Sequence, residues 1–148
     1  MKLLILELTQ KYFRPFGRIL EPLSGEFPEV AEKGLFNFYV IFKECAEGWQ
    51  IGYLEQTGKV LKTLECHPTT LEVFVPLKGE AILFLSINPE EEITAFKLDK
   101  PIVLRRGVWH GVISLTEKSE ILIVENQDVT DEFYKLKELL SNKSFNLC

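Results

Sequence analysis

Short apolar runs rich in β-branched and aromatic residues fill most of the chain, a pattern typical of β-strands. Turn sequences separate the runs, among them Lys78-Gly79-Glu80, Asn88-Pro89-Glu90 and Asp99-Lys100-Pro101. Residues 9–16 are predicted to form a short helical turn with Thr9 as its N-cap. The predicted strands span residues 3–8, 17–21, 35–42, 49–55, 60–66, 72–76, 81–87, 94–98, 102–104, 109–115 and 121–126. Many short strands at regular spacing predict an all-β fold, either a sandwich or a barrel.

The end of the chain has a different periodicity. Thr130 or Asp131 is a candidate helix cap, and apolar residues then repeat at helical spacing over residues 132–140. These apolar residues are Phe133, Leu136, Leu139 and Leu140. We therefore predict that residues 128–148 close the fold with a short C-terminal α-helix.

Composition places the chain among globular proteins. Its 148 residues are 46% hydrophobic and 26% charged, which favours a single domain over residues 1–148. A net charge of −5 argues against nucleic-acid or anionic-membrane partners. The apolar start is interrupted at Glu7, so we interpret it as a strand and not as a signal peptide. Three sparse cysteines (Cys45, Cys66 and Cys148) are typical of reduced thiols and indicate a cytoplasmic protein.

The two histidines of the chain are the candidate chemistry. Glu65 lies two residues before His67 in a predicted strand, so both side chains point to the same face, whereas Cys66 points away. Glu72 follows five residues later, and His110 begins another strand. Two imidazoles and two carboxylates can form a metal site or an acid/base cluster for a polar substrate.

The spacing around the histidines resembles that of the cupins. His67-x4-Glu72-x6-Gly79 is similar to the second half of the first cupin motif, and Gly107-x2-His110 is similar to the core of the second. Glu65 stands where the cupin motif begins with histidine. The resemblance implies a jelly-roll barrel with these side chains at its mouth.

A second resemblance extends over nearly the whole chain. Residues 8–21, 64–68, 73–80, 95–96 and 106–110 resemble successive blocks of the ureidoglycolate lyases (ureidoglycolate hydrolases), a cupin-fold family. The block Arg106-Gly107-Val108-Trp109-His110 is the most specific. The resemblance implies a lyase that releases urea from ureidoglycolate and leaves glyoxylate, in the recycling of purine nitrogen.

This chain departs from the family pattern at three places. Glu72 replaces a Gln, Gly111 replaces a second His, and the arginine that the family carries near residues 52–54 is missing. An acidic substrate would then need other partners. Our candidates for substrate binding are Arg106, Lys78 and Trp109, and Arg105 is a further counter-charge.

Together these patterns lead to one hypothesis for the site. Glu65, His67, Glu72 and His110 are the candidate ligands of a divalent metal, with Zn, Mn, Fe, Ni and Co all open. The candidate catalytic residues are Glu65, His67 and His110. Two alternatives are another metal-dependent cupin enzyme acting on a small hydroxy or oxo acid, and a non-catalytic cupin that binds a small ligand. The many strand edges favour a homodimer.

Overall fold

The fold consists of two β-sheets that face each other, together with a separate hairpin. The computed structural model describes residues 3–147. The strands are β1 (Leu3–Leu6), β2 (Gly17–Ile19), β3 (Val30–Glu32), β4 (Phe36–Phe38), β5 (Gln50–Gln56), β6 (Val60–Cys66), β7 (Glu72–Lys78), β8 (Ala81–Ser86), β9 (Thr94–Lys97), β10 (Ile102–Leu104), β11 (Trp109–Ser114), β12 (Ser119–Glu125), β13 (Glu132–Ser141) and β14 (Phe145–Leu147). The helices are α1 (Gln10–Phe13) and a 3₁₀ turn, Asn142–Ser144.

The two large sheets have seven and five strands. The strand order is β13-β6-β11-β8-β9-β1-β14 in one sheet and β2-β10-β7-β12-β5 in the other. Strand β1 pairs in parallel with β9 and β14, and the other strand pairs of the two sheets are antiparallel. This curled, nearly all-β arrangement confirms the prediction of a cupin-type barrel.

The interior between the sheets is apolar over much of its length. Strand β8 is buried at every position because its two faces pack against different clusters. Leu83 and Leu85 face the interior with Phe96, whereas Ile82 and Phe84 pack on the other side of the sheet. This apolar filling stabilises the barrel and leaves one end for polar side chains.

The short helix α1 confirms the predicted helical turn. Thr9 is its N-cap, and its Oγ1 accepts a hydrogen bond from the Tyr12 amide at 3.3 Å. Phe13 is fully buried, with its ring edge-on to Phe96 at a centroid distance of 5.6 Å. The turn therefore anchors the start of the chain in the barrel core.

The predicted C-terminal helix is wrong. Residues 132–141 form strand β13, which pairs with β6 at the edge of the seven-stranded sheet. Leu136 and Leu140 are buried and four residues apart, a spacing that fits a helix face and also the alternation of a strand. Phe133 and Leu139 occupy the other parity and are exposed. Pairing of the backbone with β6 decides between the two periods.

The predicted strand over residues 35–42 is much shorter than expected. Only Phe36–Phe38 is a strand, and it pairs with β3 in a two-stranded sheet apart from the barrel. Because β4 pairs only with β3 and not with a larger sheet, Phe36 and Phe38 remain about half exposed.

The cysteines differ in exposure, and the helices are short. Cys45 is an exposed free thiol and Cys66 a buried one, whereas Cys148 lies outside the described residues. Within residues 3–147, neither helix has the length and apolar character to cross a membrane.

Candidate active site

A cleft of about 610 Å³ opens at one end of the space between the two sheets. Strands β5, β7 and β12 provide one wall, and β6, β11 and the residues around the start of β13 provide the other. Four predicted ligand residues line it together, namely Glu65, His67, Glu72 and His110. The structure therefore brings the predicted metal-binding residues together in one cleft.

Two imidazoles converge on one carboxylate oxygen. His67 Nε2 lies 3.1 Å from Glu72 Oε2, and His110 Nε2 lies 3.0 Å from the same atom. Neither contact has the alignment of a hydrogen bond, so this buried oxygen has no hydrogen-bond partner among the described residues. The ring of Phe74 packs edge-on against His110 and supports its orientation.

The other ring nitrogens face oxygen atoms. His110 Nδ1 is 3.1 Å from the Val108 carbonyl oxygen, which can only accept, so Nδ1 carries the hydrogen. Nε2 of the neutral ring is then a free lone pair. His67 Nδ1 lies 3.0 Å from Asp131 Oδ1, although the alignment is not that of a hydrogen bond. Both histidines thus present Nε2 to the cleft, the arrangement found in metal-ligating histidines.

Glu65 joins the cluster through the strand register. It is the direct partner of His110 on the neighbouring strand, and its Oε1 is 3.9 Å from His67 Nε2. Its side chain is 39% exposed, compared with 7% for His67, so it is the more solvent-accessible of the two.

Two further carboxylates in the cleft were not predicted from the sequence. Glu125 lies directly opposite Glu72 across strands β12 and β7, and its Oε2 is 4.0 Å from His67 Nε2. Asp131 directly precedes β13 and contacts the far side of the same ring. The inward parity of residue 125 in a predicted strand was an available signal. The helical periodicity after Asp131 favours a helix cap at this residue, and a cap would not place its carboxylate in the cleft.

The charges in the cleft shift the titration of its groups. Burial lowers the pKa of His67, but its contact with Glu72 and the charges of Glu72, Glu65 and Glu125 outweigh burial and raise that pKa to about 9. Burial raises the pKa of Glu72, but the contacts with His110 and His67 prevail and lower it to about 2. Burial raises the pKa of both Glu65 and Glu125.

The donor set fits a metal ion. Ligand atoms of Glu65, His67 and His110 lie within 4.8 Å of one another, and so do those of His67, Glu72 and Glu125. The buried oxygens Glu72 Oε2 and Glu125 Oε2 lack hydrogen-bond partners in the described chain, which is costly for carboxylates without a cation. Imidazole and carboxylate donors suit several divalent metals and do not identify one.

The three predicted substrate-binding residues lie outside the cleft. Arg106 is exposed; it pairs with Glu44 and donates from Nε to the Thr69 carbonyl at 3.1 Å. Lys78 is exposed at the far end of β7, 3.8 Å from a carboxylate oxygen of Glu120.

Trp109 also points away from the site. It is adjacent to His110 on β11, so strand alternation sends its side chain to the opposite face of the sheet. There it packs against Tyr134, with ring centroids 6.2 Å apart. A direct contact of Trp109 with a ligand in this cleft would therefore need a rearrangement of the strand.

Neither lysine nor arginine lines the cleft in the described part of the chain. Four of the described residues that line it carry a carboxylate. These carboxylates belong to Glu65, Glu72, Glu125 and Asp131. An anionic ligand therefore needs a bound cation or a protonated histidine as its counter-charge.

Comparison with known proteins agrees with the geometry. A family model described as ureidoglycolate lyase matches residues 1–147. The chain belongs to the ureidoglycolate lyase family. It is 27% identical over 135 residues to ureidoglycolate lyase 2 of Rhizobium meliloti, covering 80% of this chain and 82% of that protein. It is 26% identical over 157 residues to ureidoglycolate lyase of Brucella anthropi, covering 89% of each.

Two solved structures are similar to part of the chain, and the first of them supports the fold. The capsular polysaccharide assembling protein CapF of Staphylococcus aureus is similar with a TM-score of 0.50 and 16% identity, over 63% of this chain and 27% of CapF. A cupin 2 domain-containing protein from Halorhodospira halophila has a TM-score of 0.45 and 16% identity, over 62% of this chain and 60% of that one. At these identities the similarity concerns the fold alone.

All three departures from the ureidoglycolate lyase pattern fall at residues that line the cleft. Glu72 is at the centre of the cluster, where a carboxylate is a better ligand for hard metals than an amide. Gly111 lines the cleft beside His110, and a Cβ there would lie 2.6 Å from Leu61 Cδ2. Leu61 therefore fills the space that a larger residue at position 111 would need.

Proposed function

We propose that the protein cleaves ureidoglycolate into glyoxylate and urea, as a lyase acting on a C–N bond in the breakdown of purine nitrogen. Two observations support this function. The ureidoglycolate lyase family model matches residues 1–147. The cleft also gathers an acid, a base and a candidate metal-ligand set at one end of the barrel.

Four residues would hold a divalent ion, namely Glu65, His67, Glu72 and His110. A bound divalent cation supplies Lewis acidity, which lowers the pKa of a hydroxyl group, and positive charge for a substrate carboxylate. Zn, Mn, Fe, Ni and Co all remain candidates. Such a cation would also compensate for the four carboxylates of the cleft.

The chain itself offers an acid and a base for the proton transfers. Glu65 is the more exposed carboxylate beside His67, and burial raises its pKa, which suits a general base that accepts the carbinol hydroxyl proton. The C–N bond then breaks as the hydroxyl carbon becomes a carbonyl. Glu65 and His67 take these roles when no metal occupies their ligand atoms: His67 then has a pKa of about 9, is protonated at neutral pH and can donate a proton to the departing urea nitrogen.

His110 and Glu72 support these groups. His110 is fixed by its Nδ1–H bond to Val108, and Glu72 lies between the two rings. In this role His110 presents its Nε2 to the cleft beside Glu72. The carboxylate of a small polar acid such as ureidoglycolate would be received by positive charge at the cation or at His67.

A glyoxylate-release assay tests the function. Purified protein should release glyoxylate from ureidoglycolate, and metal analysis should find a divalent ion. His67→Ala and His110→Ala should each lose at least about a hundredfold in kcat/KM, the scale of a missing general acid or ligand. Glu120→Gln, on β12 and outside the cleft, is the control and should retain activity. Full activity in both histidine variants would falsify the proposal.

Two residues that line the cleft, Glu72 and Gly111, favour a second candidate function. Glu72 in place of an amide and Gly111 in place of a second histidine also suit a metal-dependent enzyme for another small hydroxy or oxo acid. Turnover across a panel of such acids with added Mn, Fe, Ni or Zn distinguishes the two. Ligand-induced stabilisation without turnover of any acid would instead indicate a non-catalytic binding protein.

We also propose a homodimer formed through the outer face of the five-stranded sheet. Apolar side chains of adjacent strands face outward there in register, with Tyr53 opposite Leu122 and Ile51 opposite Val124. Ile51 and Tyr53 are each 55% exposed, and β5 is an edge strand with free backbone groups. A second copy of the same face is the self-complementary partner that two-fold symmetry supplies.

We also propose that the protein is cytoplasmic, which its free thiols Cys45 and Cys66 support.

A further inference from the structure

The two carboxylate oxygens of Glu125 differ in their hydrogen bonding. Its Oε1 accepts a hydrogen bond from Gln50 Nε2 at 2.9 Å, which orients the carboxylate. Its Oε2 is buried, lacks a hydrogen-bond partner among the described residues and lies 4.0 Å from His67 Nε2. Burying a carboxylate oxygen without a hydrogen-bond donor costs free energy. A donor group on a bound ligand would remove this cost by bonding to Oε2.

The chemistry of the cleft limits what that donor can be. Four carboxylates line the cleft, so a second anionic group beside Glu125 would be repelled. The favourable partners of a carboxylate oxygen are N–H groups, which form charge-assisted hydrogen bonds with it. A ureido group is uncharged and offers N–H donors on both of its nitrogens.

We propose that Glu125 is the specificity-determining residue that binds the ureido end of the substrate through Oε2. The inference rests on the proposed function, because it assigns the ureido group of ureidoglycolate to this position. Glu125 lies opposite Glu72 across the strands and on the same side of the His67 ring. A substrate whose hydroxyl carbon is at Glu65 and His67 would then direct its ureido nitrogens towards β12.

A competing role for Glu125 is metal ligation, because its carboxylate belongs to a group with His67 and Glu72 that could hold an ion. The two roles predict different measurements. A ligand residue controls metal content, whereas a ureido-binding residue controls the affinity for ligands with N–H donors. The hydrogen bond from Gln50 holds one oxygen of Glu125 on the β5 side and leaves Oε2 as the oxygen available in either role.

Titration calorimetry with two small acids distinguishes the two roles. It measures the affinity of each acid for the purified full chain with its metal. Ureidoacetate carries the ureido group and the carboxylate but lacks the hydroxyl, so it is not cleaved. Glycolate carries the hydroxyl and the carboxylate but lacks the ureido group. Glu125→Leu should weaken ureidoacetate binding at least about tenfold, the scale of one hydrogen bond to a charged group, and leave glycolate binding within about twofold.

Two further variants complete the design. Glu125→Gln replaces a charge-assisted hydrogen bond with a neutral one, so it should weaken ureidoacetate by several-fold only. If Glu125→Leu does not fold, the comparison of ureidoacetate and glycolate affinities is made with Glu125→Gln instead. Glu120→Leu is the control on the same strand with its side chain outside the cleft, and both affinities should be those of the wild type. Metal content is measured in every variant.

Several results would overturn the inference. Equal weakening of both acids, loss of metal from the Glu125 variants or unchanged ureidoacetate affinity would each do so. The proposed lyase activity is judged separately. If the wild type releases no glyoxylate but ureidoacetate binding depends on Glu125, the lyase proposal fails and the ureido-binding role is supported. If glyoxylate is released and Glu125→Leu binds ureidoacetate normally, the ureido-binding role fails alone.

Discussion

Glu72 and Glu125 are cross-strand partners whose carboxylates face the same cleft from β7 and β12. Two buried like charges in direct register destabilise a sheet unless something positive lies between or beside them. Here His67 contacts Glu72 at 3.1 Å and lies 4.0 Å from Glu125. The pair therefore makes the cleft a site for cations and N–H donors.

Glu72→Gln tests the carboxylate at the centre of the cluster. The variant restores the amide of the family pattern, and it should weaken the binding of a divalent metal on the order of tenfold to a hundredfold. Metal titration by calorimetry, with metal analysis of dialysed protein, measures the effect. Glu120→Gln is the control and should bind metal as the wild type does. Equal affinity in Glu72→Gln and the wild type would remove Glu72 from the ligand set.

The metal-free protein should have a stability maximum between pH 4.5 and 6.5. The folded-state pKa of His67 is raised from 6.5 to about 9, so its contribution is complete below pH 6.5 and is lost as the pH rises to 9. The pKa of Glu72 is lowered from 4.5 to about 2, so its contribution is complete above pH 4.5 and is lost as the pH falls to 2.

Urea unfolding at a series of pH values in chelator measures this dependence. His67→Asn should remove most of the decline between pH 6.5 and 9 because Asn does not titrate. A free energy of unfolding in the wild type that is constant over that range would contradict the assignment.

Gly79 and Gly107 should respond differently to alanine, although both have positive φ values, +76° and +78°. A Cβ on Gly79 would lie 2.4 Å from the Lys118 carbonyl oxygen, which belongs to the backbone, whereas a Cβ on Gly107 would meet nothing within 4 Å. Gly79→Ala should cost about 2–4 kcal/mol and Gly107→Ala about 1 kcal/mol of unfolding free energy. Chemical denaturation compares them, and equal losses would show that the close approach does not matter.

Gly111→Ala should destabilise the protein by about 1 kcal/mol, because the new methyl group displaces the end of the Leu61 side chain. The neighbour is flexible, so the cost is moderate. In a double-mutant cycle, Leu61→Ala should abolish the penalty of Gly111→Ala, although it has a cost of its own. Strict additivity of the two substitutions would show that Leu61 does not limit position 111.

Ile51→Glu should convert the proposed homodimer into a monomer, because it places a charge within the proposed apolar interface, on the edge strand β5. Light scattering after size-exclusion chromatography gives the mass. Leu139→Glu is a matched control, since Leu139 is 58% exposed on the other large sheet. A monomeric wild type, or a dimer in Ile51→Glu, would exclude this interface.

Short apolar runs bounded by turn residues were sufficient to predict most of the barrel. The strand over Val60–Cys66 begins and ends where the sequence predicted, as does Ile102–Leu104. Each of these strands has a partner on both sides, so local pattern and pairing agree. The prediction failed at β13, where leucines four residues apart suit a helix and a strand equally and only the contact with β6 decides.

The sequence predicted the site residues that lie on one strand or in the turns next to it. Glu65, His67 and Glu72 are close in sequence, and His110 followed from the resemblance to the cupins. Glu125 and Asp131 approach from strands whose pairing no local pattern specifies. The same reason explains the placement of Arg106, which is near His110 in sequence but outside the cleft in space.

The position of β13 also determines when the cleft can form during synthesis. Strand β6, which carries Glu65, lies between β11 and β13, and the segment that carries Asp131 leads directly into β13. Both neighbours of β6 leave the ribosome after it, β13 last. Until then β6 is an open edge with a free thiol at Cys66 and partly assembled ligands. A nascent chain that stalls before residue 132 would therefore have the histidines but no closed cleft, and its exposed β6 would be a site for chaperone binding or aggregation.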